Sequence, residues 1–280
     1  MKVNVIGANG QLGVDIHKVF DDGGQEVVPL SHNDVGVEDF DQVKRIVETM
    51  RPDVVINTSA HHNLDACEKN PNTSFAVNAV GVRNLAILSN EFKFKLVHFS
   101  TDYVFDGTKT TPYHENDISN PLNVYGVSKL AGELFIQYIA ENYIIIRTSS
   151  LFGKNPCRAK SGLNFVKLML RLASEGKPIQ VVNDQFSSPT CTTDLAQETY
   201  RMVKNDICGL YHVVSNGGCS WYEFAEEIFR ISSVSANLSS KVSVFDPKAI
   251  KRPKYSVMST LRLDIVMPHW KDALKRYLSV

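Results

Sequence analysis

KVNVIGANGQLGVDI, residues 2–16, decides how the rest of the chain is read. Val3 to Ile6 is a short apolar run of strand length, and the stretch from Gln11 to Asp22 has the spacing of a helix stopped by Gly23-Gly24. Between them Gly7, Gly10 and Gly13 form GxxGxxG at a strand-to-helix junction. Each glycine has a separate physical task in a dinucleotide site. Gly7 allows the tight turn, Gly10 lets backbone approach a pyrophosphate, and Gly13 lets the helix lie close to the strand. The helix start adds free N–H groups and a partial positive charge. A bare glycine pattern would mark only a turn; its placement after a strand and before a helix makes it a cofactor loop.

Outward from this loop the pattern repeats. Val27–Leu30, Asp53–Asn57, Leu96–Phe99 and Tyr143–Arg147 read as buried strands. Phe40–Met50, Ser74–Phe92 and Asn123–Asn142 read as the intervening helices; Val43, Ile46, Val47 and Met50 fall at i, i+3, i+4 and i+7. Continuous apolar strands alternating with helices predict an α/β fold, a doubly wound parallel Rossmann-like sheet with right-handed crossovers. After Arg147 the rhythm loosens. Glycine, proline and serine become frequent over Ser149–Gly162 and Ser187–Pro189. Helices are expected at Asn164–Glu175, Thr193–Lys204 and Ser220–Phe229, and strands at Ile179–Val182 and Leu210–Val214. Residues 1–150 therefore read as the dinucleotide-binding region with its catalytic helix, and 151–280 as a smaller substrate-binding lobe interleaved with the sheet.

Composition narrows the function. The 280 residues are 43% hydrophobic, enough for a core without disulfide or metal staples. Thirty basic and thirty acidic residues cancel, which argues against nucleic-acid or anionic-membrane partners. Cys67, Cys157, Cys191, Cys208 and Cys219 are scattered and never spaced as CxxC, so a reducing, cytoplasmic setting is expected. No run approaches the roughly 18 apolar residues of a membrane span.

Tyr125 and Lys129 form YxxxK. At i and i+4 on a helix, the phenol and the ammonium share a face. A nearby cation should lower the phenol pKa from its usual value of about 10, fitting the pair for proton exchange with a ketone or alcohol. The fourth strand ends His98-Phe99-Ser100-Thr101-Asp102, where doubly wound sheets place active sites. Thr101 or Ser100 is suited to bonding a substrate carbonyl; either is also an ordinary turn hydroxyl. Past the second strand, Ser31-His32-Asn33-Asp34 carries no carboxylate at the strand end and no basic residue to clamp a 2′-phosphate. NADPH is the expected cofactor, with NADH the alternative.

With these residues in view, the chain resembles the dTDP-4-dehydrorhamnose reductases, which are extended short-chain dehydrogenases/reductases. The resemblance rests on STDYVFDGTKTTPYHENDISNPLNVYGVSKLAGE (Ser100–Glu133), RPDVVINTSAHHNLDACE (Arg51–Glu68), NFVKLMLRLA (Asn164–Ala173), VVNDQFSSPT (Val181–Thr190), SWYEFA (Ser220–Ala225) and RPKYSVMST (Arg252–Thr260). It implies reduction of the 4-keto group of a dTDP-linked 6-deoxyhexose, the last step toward dTDP-L-rhamnose. It implies Thr101, Tyr125 and Lys129 as the catalytic set. It also implies Gly7, Asn9, Gly10, Gln11, Leu12 and Gly13 at the pyrophosphate, Asp39 and Phe40 beside the adenine, and Ala60 and Asn78 along the cleft. Thr101, Asp102, Ser150, Asn164 and Arg252 fall on the nucleotide-sugar side, where an arginine fork suits a diphosphate.

Three positions depart from the family. Ser150 stands where a tryptophan is usual near the sugar. Asp15 and Thr193 stand where some relatives carry magnesium-binding glutamates. No metal site is expected, and a homodimer, where one forms, is expected to lack a bridging metal. Two other functions share these motifs: a nucleotide-sugar epimerase or dehydratase, and a non-catalytic regulatory subunit resembling the β subunit of methionine adenosyltransferase.

Overall fold

The computed structural model describes residues 1–157, 162–244, 246, 249–262 and 265–279. Residues 158–161, in the loosened stretch before Gly162, lie outside the described residues. The first half runs β1 (Lys2–Ile6), α1 (Gln11–Asp22), β2 (Glu26–Leu30), α2 (Phe40–Met50), β3 (Val54–Asn57), α3 (Leu64–Lys69), α4 (Pro71–Phe75), α5 (Gly81–Phe92), β4 (Lys95–Thr101), α6 (Val124–Ile139) and β5 (Tyr143–Thr148). A π-helical turn, Ala76–Val80, joins α4 to α5. The second half runs β6 (Leu151–Phe152), α7 (Phe165–Ser174), β7 (Ile179–Val182), β8 (Phe186–Ser187), β9 (Thr190–Cys191), α8 (Thr192–Lys204), β10 (Gly209–His212), β11 (Cys219–Ser220), α9 (Trp221–Ser232), β12 (Leu238–Lys241) and α10 (Trp270–Leu278).

Six strands pair in the order β10-β5-β4-β3-β1-β2, all in parallel. The sheet is the doubly wound one predicted from the sequence. Alternation along each strand explains its two covered faces. Val3, Val5, Ile56, Val97 and Ile146 point to one side, where they pack with Ile16 and Phe20 of α1 and Leu195 of α8. Ile6, Val55, Leu96 and Ile145 point to the other, against Val43 of α2, Leu85 of α5 and Ile136 of α6. The last strand and α8 come from the second half of the chain, so the two halves share one sheet. A separate core, with Phe152, Val166, Phe224 and Trp270, holds α7, α9 and α10 together.

Boundaries shift where side chains cap helices. Asn123, Asn164 and Ser220, expected as first helical residues, are N-caps that accept from Gly126, Lys167 and Glu223; such a cap is worth about 1 kcal/mol. The expected helix Ser74–Phe92 instead begins at Pro71 and passes through the π turn. Helix α10, the short strands β6, β8, β9 and β11, and β12 with its polar LSSK sequence go beyond the sequence reading.

Candidate active site

The chain turns from β1 out to β2, then crosses back to place β3 on the other side of β1. The crevice between β1 and β3 is the switch point where such sheets bind ligands. Gly7 opens that crevice with φ +79°, and a Cβ there would lie 2.7 Å from Thr58 Oγ1 and 2.9 Å from Ser59 N. Gly10 caps α1 without any side-chain bond, and the first turn carries no acidic residue. The N–H end of α1 is thus left for an anion. Leu12 and Gly13 are buried in that first turn, while Asn9 is exposed at the mouth. Gln11 is buried, and its Nε2 donates to the Gly153 carbonyl at 3.3 Å. These residues fit a dinucleotide pyrophosphate: the loop is open where the phosphates need backbone and closed where helix meets strand.

On the β2 side, Asp34 accepts from the Ser31 backbone (2.7 Å) and hydroxyl (2.6 Å), which hold its pKa below the ordinary carboxylate value. Asp39 is the N-cap of α2, accepting from Gln42 N at 3.0 Å, and Phe40 packs half-buried behind it. Beyond β3, Ala60 is half-buried. Asn78, in the π turn, pins the next residue: it accepts from His61 N (2.9 Å) and donates to His61 O (2.8 Å) and Ser128 Oγ (3.0 Å). The π turn, a geometry frequent at functional sites, holds this fully buried amide against His61 and Ser128.

Thr101 ends β4 and Tyr125 sits in the first turn of α6, and the threonine hydroxyl lies close enough to the phenol to favour its ionised form. Thr101 also donates to Asp102 Oδ1 at 3.1 Å and accepts from Tyr103 N at 3.2 Å. Burial pushes the Tyr125 phenol well above its ordinary pKa, with Asp102, Tyr103 and Cys67 adding to the rise. This differs from the lowering expected of YxxxK. The reason is where Lys129 points: its ammonium end is not at the phenol but inward, 2.6 Å from the Phe99 carbonyl and 3.0 Å from His98 Nε2. Burial lowers Lys129 to about 7, opposed by Glu133. Beneath it Glu133 is gripped by Arg147 (2.7 Å from Nη2) and by Ser100.

Next to Thr101, hydroxyls cluster around a buried carboxylate. Burial raises the Asp102 pKa, countered by bonds from Ser256 (2.6 Å), Ser149 and Thr101. Ser150 holds a left-handed backbone, φ +46°, and its hydroxyl donates to Ser187 Oγ at 2.9 Å. Arg252 is exposed and its charge opposes the rise in the Tyr103 pKa that burial and Asp102 cause; the Tyr103 ring lies edge-on to Tyr125 at 5.9 Å. Asn164 is buried, its amide engaged by Lys167 N and by the Gly153 carbonyl at 2.7 Å. Its polar atoms therefore face the protein, one carbonyl away from Gln11. Of the two positions where relatives bear glutamates, Asp15 accepts from Thr192 (2.5 Å), Asn155 (2.8 Å) and Thr193, so both its oxygens are engaged.

The sequence reading passed over Asn57, Ser59, His98, Ser149 and Ser256. The signal for two of them was present: Asn57 and His98 are the polar residues inside the otherwise apolar runs VVIN and LVHF.

A Rossmann sheet, a glycine loop at its switch point and a Thr/Tyr/Lys set at the end of β4 define an oxidoreductase of the extended short-chain dehydrogenase/reductase type. The chain belongs to the family described as RmlD substrate binding domain, which matches residues 1–280. It is 37% identical to the spore coat polysaccharide biosynthesis protein SpsK of Bacillus subtilis, over 99% of this chain and 96% of that one. It is 34% identical to the dTDP-4-dehydrorhamnose reductase of Salmonella typhimurium, over 100% and 97%. The crystal structure of the dTDP-4-dehydrorhamnose reductase of Bacillus anthracis in complex with NADP superposes with a TM-score of 0.93 at 36% identity, covering 99% of this chain and 98% of that one.

Proposed function

We propose that this protein is an NADPH-dependent reductase of the 4-keto group of a dTDP-4-dehydro-6-deoxyhexose. One observation carries the reading above all others: a half-buried phenol that keeps its proton, close to the threonine hydroxyl at the carboxyl end of β4, with a glycine loop shaped for a dinucleotide at the switch point of the same sheet. The family relationship supports the substrate class, and the NADP complex of the Bacillus anthracis relative supports the cofactor.

The family resemblance and the geometry together support these roles. Gly7, Asn9, Gly10, Gln11, Leu12 and Gly13 would hold the pyrophosphate; Asp39 and Phe40 would border the adenine side; Ala60 and Asn78 would wall the cleft. The bound nicotinamide supplies a hydride to the ketone carbon. Tyr125, neutral because it is buried, then gives its proton to the developing alkoxide, leaving an alcohol and a phenolate that solvent reprotonates. Thr101 orients the phenol and the substrate oxygen between them. Lys129 would turn outward to the ribose, and as a cation would stabilise the transient phenolate. Arg252 would take the substrate diphosphate, with Asp102 and Ser150 on the sugar side. Asn164 would act indirectly, through the Gly153 carbonyl that it shares with Gln11.

Five free thiols suit a reducing compartment, and the cytoplasm is the proposed location. Among the described residues no helix is long and apolar enough to cross a membrane. The test is a turnover assay with dTDP-4-dehydro-6-deoxyhexoses and either NADPH or NADH. Stoichiometric NADPH oxidation with formation of the 4-hydroxy sugar is expected. Turnover without net cofactor oxidation would replace the reductase reading with an epimerase-type one.

A further inference from the structure

Behind the catalytic helix, a line of hydrogen bonds runs through the sheet to Lys129. Asn57 on β3 and His98 on β4 are paired in register and fully buried. Asn57 Oδ1 accepts from the Ser59 backbone N–H at 3.1 Å and from its hydroxyl at 2.5 Å. A backbone N–H can only donate, so the amide cannot be turned round. Its Nδ2 therefore faces His98 Nδ1, 3.2 Å away. An amide NH₂ also only donates, so Nδ1 must offer its lone pair, and a neutral imidazole then carries its proton on Nε2. Nε2 is the atom 3.0 Å from Lys129 Nζ. An ammonium has no lone pair to accept from Nε2–H. An amine has one, and still has a hydrogen for the Phe99 carbonyl at 2.6 Å.

We propose that the Ser59–Asn57–His98 chain stores Lys129 as a neutral amine in the cofactor-free protein, so that Lys129 takes up a proton when it turns toward a bound dinucleotide. His98 is then a positioning residue that sets the charge of Lys129 through the direction of its one N–H. The storage half rests on hydrogen-bond polarity alone; the uptake half rests also on the cleft being the NADPH site.

The surrounding groups agree with this assignment. On α6, the Glu133 carboxylate favours a charged lysine but is already taken by Arg147 of β5 and Ser100 of β4. Tyr125, also on α6, is held as a neutral phenol and Cys67 of α3 as a neutral thiol, in both cases chiefly by burial. Asp102, past the end of β4, is bonded by three hydroxyls. Burial also holds His98 well below its ordinary pKa and brings Lys129 to about 7.

Two measurements test the inference. Nitrogen-15 NMR of the cofactor-free protein at pH 8 should show His98 as the Nε2–H tautomer. Asn57→Asp, of the same shape, offers an acceptor to Nδ1–H and should reverse the tautomer. Calorimetry of NADPH binding at pH 8, in buffers of different ionisation enthalpy, should show about 0.9 proton taken up by the wild type, since Lys129 near 7 is then mostly amine. Asn57→Asp should take up close to none. Should that variant not fold, His98→Gln serves, because its amide oxygen can face an ammonium. An Nδ1–H tautomer in the wild type, or tight NADPH binding without proton uptake, overturns the proposal. No NADPH binding at all would instead overturn the cofactor reading, and the tautomer would still decide the stored state of Lys129.

Discussion

The Cβ that Gly13 lacks would lie 2.3 Å from the Gly7 carbonyl oxygen, so the first turn of α1 is packed directly on the cofactor loop. Gly10, three residues earlier, has φ −80° and ψ 166°, and a Cβ there would meet only that same carbonyl, at 3.2 Å. Gly13 is required by packing, whereas at Gly10 only the Gly7 carbonyl would have to give, by a few tenths of an ångström. Gly13→Ala should therefore lower stability by about 1–3 kcal/mol, as overpacking does. Gly10→Val should fold with a Tm within a few degrees of wild type but lose NADPH affinity, because a branched side chain fills the pyrophosphate approach. Thermal unfolding and calorimetric titration of both variants separate the two roles. A Gly10→Val protein that is folded and binds NADPH normally would remove the loop from the cofactor site.

The buried Glu133–Arg147 pair, 1% and 5% exposed, should be costly to break from one side. Arg147 Nη1 has no hydrogen-bond partner among the described residues, and its Cζ lies 5.2 Å from the Phe105 ring centroid, so the guanidinium depends on Glu133. Glu133→Gln should cost roughly 3–5 kcal/mol in denaturant unfolding, and adding Arg147→Met should recover much of that loss. Additive losses in the double variant would mean that the two charges do not compensate each other.

What the sequence made legible was whatever backbone period and glycine spacing control. The parallel sheet could be read because Val54–Ile56, Leu96–Val97 and Ile144–Ile146 are continuous apolar runs, as strands buried on both faces tend to be. The glycine loop stood out by its place after β1, and the proposed Thr101/Tyr125/Lys129 set by the end of β4, by YxxxK and by the family resemblance. Where the side chains point was not. YxxxK puts Tyr125 and Lys129 on one helix face, yet the long lysine reaches inward to His98 because β4 offers a carbonyl and a ring nitrogen there. Nor could spacing reveal that Ser256 closes on Asp102 from 154 residues away. Helix α10 was missed although its apolar face is strong. Its buried Trp270, Ala273 and Leu274 belong to a core made of segments far apart in the chain.

Ser150 stands in a left-handed conformation on the proposed sugar side, half-buried and bonded to Ser187. Ser150→Trp should restore an aromatic wall and change the ratio of kcat/KM between 6-deoxysugar substrates by about 1–3 kcal/mol, a usual range for shape discrimination in a pocket. Parallel kcat/KM measurements on two 4-keto sugars check this. Equal effects on both would mean that Ser150 faces away from the substrate.

Lys129 links stability to pH. Its folded pKa of about 7 lies below the ordinary 10.5, so between those values the unfolded chain binds more protons than the native one. Native stability from this group is therefore full above about 10.5 and is lost as pH falls toward 7. Lys129→Met removes the penalty. The variant should be more stable than wild type by on the order of a few kcal/mol near pH 7, with the gap narrowing as pH rises toward 9.5. Urea unfolding of both proteins at several pH values measures it. A gap that is constant with pH would mean that Lys129 does not titrate differently on folding.

Tyr125→Phe isolates the proton. The change deletes one oxygen, keeps the ring against Tyr103, and leaves the glycine loop and Lys129 in place. Thr101 keeps its bonds to Asp102 and the Tyr103 backbone. If the phenol is the acid that completes reduction, hydride attack on the variant leaves an alkoxide with no proton donor beside it. General acid catalysis contributes typically about 10²–10⁴-fold, and kcat should fall by that order. NADPH affinity should be unchanged, which sets this variant apart from Lys129→Met, expected to lose activity and cofactor affinity together. Pre-steady-state NADPH oxidation, with cofactor titrations of both variants, makes the comparison. Near wild-type reduction by Tyr125→Phe would move the acid elsewhere. A buried candidate is Asp102, whose pKa burial raises and whose Oδ1 already accepts from Thr101.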